Sequence, residues 1–117
     1  MIYLASPYSH PDTDVRQERF DAACRAAAAL LRQGKTTFSP IAHSHVLCRY
    51  GLPLDWEFWR QHDLQYLAAC TEVVVLMLDG WAESVGVQAE IKIARELGKP
   101  VTFLSATDQR GEKEAGQ

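Results

Sequence analysis

The chain has 117 residues, of which 47% are hydrophobic, so it is long enough for one domain with a sizeable core and too short for two. Its formal net charge is −3 and its pI is near 5.7, values that provide no general attraction for a nucleic-acid backbone or an acidic membrane surface. We therefore expect neither a polynucleotide nor a membrane as a partner.

The start of the chain and its cysteines predict a cytoplasmic protein. Met1 leads directly into Ile-Tyr-Leu-Ala, without the basic and apolar segments of a signal peptide, and no apolar run is long enough to span a bilayer. The three cysteines (Cys24, Cys48 and Cys70) are odd in number and lack CxxC spacing. Neither a disulfide framework nor a zinc cage is expected, and the thiols are predicted to be buried.

The first half of the chain predicts a strand, a long helix and a second strand. Residues 2–5 form a short apolar run, and the prolines of the following loop prevent its extension. A helix is predicted from Asp12 or Thr13 to Gly34, with an apolar face formed by residues at helical spacing: Phe20, Cys24, Ala27 and Leu31. Residues 35–39 are a candidate strand, and residues 40–53 are predicted to be irregular.

The second half continues the alternation. Asp55 is the predicted cap of a helix that runs to about residue 69, and residues 72–78 read as a buried strand that ends at Asp79. A helix over 85–97 and a strand over 100–104 follow. This order predicts an α/β fold, a three-layer doubly wound parallel sheet of the flavodoxin or Rossmann kind. Residues 1–105 are expected to form the single domain, and 106–117 a polar, flexible tail.

Glu90 is predicted to lie on the apolar face of its helix. Its neighbours on that face are apolar or small: Gly86, Val87, Ile93, Ala94 and Leu97. Because this helix follows a buried strand, its start lies at the carboxyl edge of the sheet, where open α/β folds bind ligands. Glu90 is therefore a candidate for chemistry, with a structural network around an inward carboxylate as the alternative.

Asp63 repeats this pattern in the preceding helix. It shares a face with Trp59, Tyr66, Leu67 and Cys70. Two carboxyl groups in different environments suit displacement at an anomeric carbon, where one attacks the sugar and the other handles the proton of the leaving group. A buried salt bridge, for instance to Arg60, is the structural alternative for Asp63.

Four segments together resemble the nucleoside 2-deoxyribosyltransferase superfamily. They are Tyr3-Leu-Ala-Ser-Pro, Asp63-Leu followed by Ala69-Cys-Thr-Glu-Val-Val-Val75, Ser84-Val-Gly-Val-Gln-Ala-Glu-Ile91, and Ala94 before Leu97-Gly-Lys-Pro-Val101. The resemblance extends over nearly the whole globular part. It implies a small doubly wound α/β sandwich of the nucleoside deoxyribosyltransferase kind, assembled as a homo-oligomer (a dimer or tetramer), and a nucleoside or nucleotide as the small-molecule partner.

The resemblance also implies catalytic roles for three residues. Glu90 matches the nucleophile that forms a glycosyl-enzyme intermediate, and Tyr3 matches the tyrosine whose hydroxyl lies against that carboxylate. Asp63 matches the acid that protonates the departing base. The pairing of Tyr3 with Glu90 is physically reasonable, because a phenol donor stabilises a carboxylate against the desolvation that raises its pKa.

Ser84 bears on the choice of substrate. The resemblance implies a serine near the 5'-phosphate at this position in the 2'-deoxynucleoside 5'-phosphate N-hydrolases, and an aspartate in the transferases. With Gly86 and the helix N-terminus, Ser84 forms a predicted anion site.

The first loop departs from these hydrolases, which carry an arginine and glycines there. Ser6 and Ser9 are its candidate substrate contacts. Arg16 or Arg19 could replace the missing arginine, but the favoured interpretation is that both are solvated surface residues.

The remaining candidates are loop residues near the same edge. His43 and His45 are expected to hydrogen-bond the sugar or phosphate rather than a metal, because H-x-H without a second ligand pair is a weak metal signal. A structural role as loop-capping histidines is the alternative. We expect neither a metal nor another cofactor. Trp81 is the preferred residue for stacking on the base. Asp79 is an N-cap, a turn residue or an acceptor for a ribose hydroxyl, and the turn is favoured.

The favoured function is hydrolysis of the N-glycosidic bond of a (deoxy)nucleoside 5'-monophosphate, with nucleotide metabolism as its setting. The short C-terminal part is expected to leave the intermediate open to water. Base exchange by a transferase and a non-catalytic nucleotide-binding module are the alternatives.

Overall fold

The computed structural model describes residues 1–106, in which four strands alternate with four α-helices. The strands are β1 (Ile2–Ala5), β2 (Thr37–Phe38), β3 (Glu72–Met77) and β4 (Val101–Ser105). The helices are α1 (Thr13–Arg32), α2 (Pro40–Leu47), α3 (Trp56–Ala69) and α4 (Val85–Glu96). The predicted polar tail lies outside the described residues from position 107 onward.

All four strands are parallel and lie in the order β2-β1-β3-β4. The chain runs outward from β1 to β2, returns past β1 to β3, and continues outward to β4. The direction of winding therefore changes between β1 and β3, and a crevice is expected at their carboxyl ends. The predicted doubly wound α/β sheet is confirmed, in a three-layer arrangement of the flavodoxin kind.

The two faces of the sheet carry separate cores. Tyr3 and Ala5 of β1 pack with α3 and α4 on one face, whereas Ile2 and Leu4 pack with α1 on the other. This division follows from the alternation of side chains along a strand. Across residues 1–106, no helix is both long and apolar enough to cross a membrane.

The segment predicted to be irregular begins with a helix. Ser39 caps α2 by accepting a hydrogen bond from the Ala42 N–H at 3.1 Å, and Pro40 occupies the first helical turn. Proline is favoured there because its fixed φ suits a helix start and its missing N–H would have no intrahelical partner. The prediction of an irregular segment was therefore wrong for residues 40–47. The prediction failed because apolar and polar residues are not segregated along α2.

Two predicted helix faces are rotated in the structure. In α1 the fully buried positions are Ala23 and Ala26, whereas Leu31 is exposed. In α4 the residue buried beside Glu90 is Ile91, and Leu97 is exposed. The many alanines of α1 give a weak periodic signal, so the sheet selects the face that allows the closest approach.

Over-packing at Ala26 tests this close approach. Ala26→Leu adds three carbons where the side chain is fully buried between α1 and the sheet, and we expect a loss of about 1–3 kcal/mol in the free energy of unfolding. Arg25→Leu, at an exposed position on the same helix, is the control and should change stability little. Urea unfolding of both variants measures the difference, and equal stabilities would contradict the packing described here.

Candidate active site

A hydrogen bond between Tyr3 and Glu90 lies at the centre of the site. The Tyr3 hydroxyl donates to Glu90 Oε2, joining β1 to α4 across 87 positions of sequence. Tyr3 is fully buried and Glu90 is 4% exposed. A buried carboxylate without a donor is strongly destabilising, so this bond allows Glu90 to lie inside the protein. The predicted contact between these two residues is present.

Burial dominates the protonation of both groups. It raises the pKa of Glu90 to about 8; the hydrogen bond from Tyr3 opposes this rise, and the nearby Asp63 adds to it. Burial also raises the pKa of Tyr3, and the charges of Glu90 and Asp63 raise it further. The phenol therefore remains a proton donor, and near neutral pH Glu90 carries its proton in much of the population.

Glu90 and Asp63 line the same cavity, which has a volume of about 570 Å³. This is within the range of small-molecule sites, roughly 300–1,000 Å³. Ser6, Ser9, Ser84 and Gly86 line it as well. Six of the residues proposed from sequence thus meet at one place, and Tyr3 lies behind Glu90.

Asp63 is 6% exposed, and its carboxylate is paired with a histidine on the same helix. His62 Nδ1 lies 3.0 Å from Asp63 Oδ1. Burial raises the pKa of Asp63, and the hydrogen bond from His62 opposes the rise. The predicted inward orientation of Asp63 is correct, and its partner is His62 rather than Arg60.

Ser6 carries a polar atom that the fold leaves unsatisfied. Its residue is 6% exposed, and its Oγ has no hydrogen-bond partner within residues 1–106. It follows β1 at the carboxyl edge of the sheet and lines the cavity. Buried hydroxyls are nearly always paired, so an unpaired one on a residue that lines a cavity is a candidate contact for a ligand.

Ser84 begins the helix that carries Glu90. Its Oγ accepts from the Val87 N–H at 3.2 Å, so it is the N-cap of α4. This bond uses Ser84 Oγ as an acceptor, and its O–H group keeps the capacity to donate. The N-terminus of a helix favours an anion through its free N–H groups and dipole, and Ser84 adds no charge that would repel one.

Arg19 is the basic residue among the side chains that line the cavity in the described part of the chain. Its Nη1 donates to the Ser9 carbonyl and its Nη2 to the Asp79 carbonyl, both at 3.0 Å. Gly80 permits this approach, since a Cβ there would lie 2.7 Å from Arg19 Nη2 and its φ is +89°. Arg16 instead bonds the His10 carbonyl and Thr13, outside the cavity lining. Of the two candidate arginines, Arg19 is the one at the site.

Three aromatic residues of the lining, Tyr8, Trp56 and Trp59, were not among the residues proposed from sequence. Trp56 lies against Gly86, where an added Cβ would be 3.3 Å from the indole ring. Tyr8 bonds His45 Nδ1 through its hydroxyl at 2.6 Å. The sequence signal was present for Trp56, which begins a helix beside the crevice, but aromatic residues at helical spacing are more often core.

Four proposed residues lie outside the cavity lining. His45 braces α2 against α1, since it bonds Tyr8 and Gln17, and His43 is exposed and stacks on His62. The Asp79 side chain is exposed, and its carbonyl accepts from Arg19. Trp81 packs on Phe103 with ring centroids 5.5 Å apart. Substrate contacts by these four residues stay predictions.

The titratable side chains of the cavity are arranged for nucleophilic and acid–base chemistry rather than for metal binding. Among residues 1–106, no group of three or more His, Cys, Asp or Glu side chains is arranged to hold a metal ion. The cavity instead offers two buried carboxyls in different environments, one bonded by a phenol and the other by an imidazole. Such a pair can supply a nucleophile and a proton donor to one substrate.

Fold and site together define a small α/β protein with two buried carboxyl groups at the switch point of a parallel sheet. The family model described as a domain of unknown function, DUF1937, matches residues 1–106, and the chain belongs to this family. None of the curated proteins matches the sequence.

The raised pKa of Glu90 predicts a pH-dependent stability. Below its ordinary pKa of 4.5 the Glu90 carboxyl is protonated in both the folded and the unfolded protein. Between pH 4.5 and about 8 it ionises in the unfolded chain but not in the folded protein, so folding stability is lost as the pH rises. Glu90→Gln should remove this loss and be more stable than the wild type by a few kcal/mol above pH 8. Urea unfolding at about pH 5 and about pH 9 measures it. Glu96→Gln, exposed on the same helix, is the control, and the same pH response in both variants would refute the assignment.

Proposed function

We propose that this protein hydrolyses the N-glycosidic bond of a deoxynucleoside 5'-monophosphate. The observation that carries the proposal is the buried Glu90, bonded by the Tyr3 hydroxyl, in a cavity that also contains Asp63. The sequence resemblance to the nucleoside 2-deoxyribosyltransferase superfamily assigns roles to the same three residues. Two differently placed carboxyls are the equipment that displacement at a sugar C1' requires.

In the first step Glu90 attacks C1' of the sugar. A bond forms between a Glu90 carboxylate oxygen and C1', and the bond between C1' and the base nitrogen breaks. The base takes its electron pair and receives a proton from the Asp63 carboxyl, which becomes a carboxylate. The Tyr3 hydroxyl orients Glu90 and stabilises its charged form.

In the second step water releases the sugar. The Asp63 carboxylate accepts a proton from a water molecule, whose oxygen bonds to C1' as the bond to Glu90 breaks. Both carboxyls then return to their starting states, and the net reaction is nucleotide plus water to free base plus sugar phosphate. Because Glu90 must be ionised to attack while Asp63 must be protonated to donate, the rate of base release is expected to fall at both low and high pH.

Recognition of a 5'-phosphate rests on Arg19 and Ser84. The other charged residues of the lining are carboxylates: Asp55, Glu57, Asp63, Glu83 and Glu90. An anion is therefore favoured only beside the Arg19 guanidinium and the N-terminus of α4. With the phosphate held there, Ser6 Oγ is available to the sugar or base, because no residue within 1–106 occupies it.

The first test is release of free base from a panel of nucleosides and their 5'-monophosphates. We expect the wild type to act on a deoxynucleoside monophosphate, and Glu90→Gln to lower turnover by at least about a thousandfold while remaining folded, because an amide cannot attack C1'. Chromatography of base and sugar phosphate measures both. Glu96→Gln is the matched control. Near wild-type release by Glu90→Gln would exclude the mechanism, and transfer of the sugar to an added base in preference to water would indicate a transferase.

A second test concerns the phosphate. Arg19→Gln should lower kcat/KM for the nucleotide by about 10- to 100-fold, the value of one charge-assisted contact, while affecting the parent nucleoside far less. Ser84→Asp should invert the preference, because its carboxylate repels a phosphate at the helix start. Arg16→Gln, on the same helix but outside the lining, is the control. Equal losses on nucleotide and nucleoside would show that Arg19 acts structurally.

A further inference from the structure

His62 is fixed beside Asp63 in a defined orientation. Its Nδ1 lies 3.0 Å from Asp63 Oδ1, and its side chain is 36% exposed, against 8% for that of Asp63. One proton must lie between these two atoms for the bond to exist, and with Asp63 ionised the donor is Nδ1. This bond engages Oδ1 of a carboxyl group that lines the cavity, and the other oxygen, Oδ2, is not part of it.

Neighbouring aromatic rings fix the orientation of the His62 imidazole. His43 of α2 stacks on it in parallel, with centroids 5.3 Å apart and planes 2° apart. Trp59 meets it edge-on at 5.4 Å, and Tyr66 meets it at 5.1 Å. Tyr66 in turn stacks on Phe38 of β2 at 4.0 Å. The rings of His43, Trp59 and Tyr66 thus restrict rotation of His62, and Phe38 restricts that of Tyr66.

The ionisable groups around Asp63 come from four elements. They are His62 on α3, His43 on α2, Glu90 on α4 and Tyr3 on β1. Burial raises the pKa of Asp63, while the hydrogen bond from His62 and the charges of His62 and His43 lower it. The two histidines therefore act on Asp63 in the direction that favours its carboxylate.

We infer that His62 is a positioning residue for Asp63: its Nδ1–H holds Oδ1, directs the mobile proton to Oδ2, and stabilises the carboxylate formed when the base takes that proton. The inference rests on the proposed function for its chemical meaning. The hydrogen bond between His62 and Asp63 and the ring packing around His62 are independent of that function. In the proposed reaction the proton leaves Oδ2 for the base nitrogen, and His62 keeps its own proton throughout.

Two substitutions separate the hydrogen bond from the ring. His62→Phe keeps an aromatic ring for His43 and Trp59 to contact but removes the donor. His62→Asn loses the ring but places an amide N–H near the position of Nδ1. We expect His62→Phe to lower kcat by about 10- to 100-fold with little change in KM, and His62→Asn to recover most of the loss. His10→Phe, at an exposed loop histidine, is the control.

The leaving-group dependence distinguishes this role from a structural one. His62→Phe should hurt poor leaving bases most, because they depend most on proton donation, and it should cause no further loss in an Asp63→Asn background. Equal losses for all bases, or additive losses with Asp63→Asn, would overturn the inference.

A titration tests the inference without turnover. We expect the ¹³C resonance of the Asp63 carboxyl to titrate at higher pH in His62→Phe than in the wild type, and near the wild-type midpoint in His62→Asn. An unchanged midpoint in His62→Phe would overturn the inference even if the protein is active. If the wild type releases no base from any substrate but the midpoint moves as expected, the proposed function fails and the action of His62 on Asp63 stands.

Discussion

The hydrogen bond from Tyr3 to Glu90 is the constraint around which the site is built. A carboxylate that is 4% exposed requires a donor, and the donor here is a fully buried phenol on a central strand. The bond exists only if β1 lies beside β3 and α4 covers that face of the sheet. Even with the bond, burial raises the pKa of Glu90 to about 8, so the fold bears a cost in stability to keep this group inside. Such costs are typical of sites that perform chemistry.

The surrounding structure supplies space and rigidity at the same edge. Alanines bring α1 close to one face of the sheet, while α3 and α4 bring their carboxyls to the other. The change of winding between β1 and β3 opens the crevice that Ser6 and Ser84 line. Gly80 lets the Arg19 guanidinium reach the same edge from α1. Parts of the chain far apart in sequence thus converge because the carboxyl ends of parallel strands meet there.

Periodicity predicted the polar residues that the helices turn inward. Glu90 and Asp63 lie on faces whose other members are apolar, and Ser84 precedes a helix that follows a buried strand; all three line the cavity. The loop residues were harder to place. His43 and His45 follow β2 as expected, yet they belong to a helix whose packing directs them toward His62 and Tyr8, because nothing in the local pattern identified α2 or its orientation.

The sequence by itself determined the order of the strands and of the helices other than α2, the parallel sheet, and the inward direction of Glu90 and Asp63, because these depend on local apolar patterns that burial enforces. Tertiary structure alone decided which distant groups became partners. The pairing of Tyr3 with Glu90 had been expected only from a resemblance, and neither the place of Arg19 beside the cavity nor the rings around His62 was expected. Such contacts depend on helix rotation and on the angles at which elements pack, and a shift of one residue around a helix, as in α1, changes every neighbour.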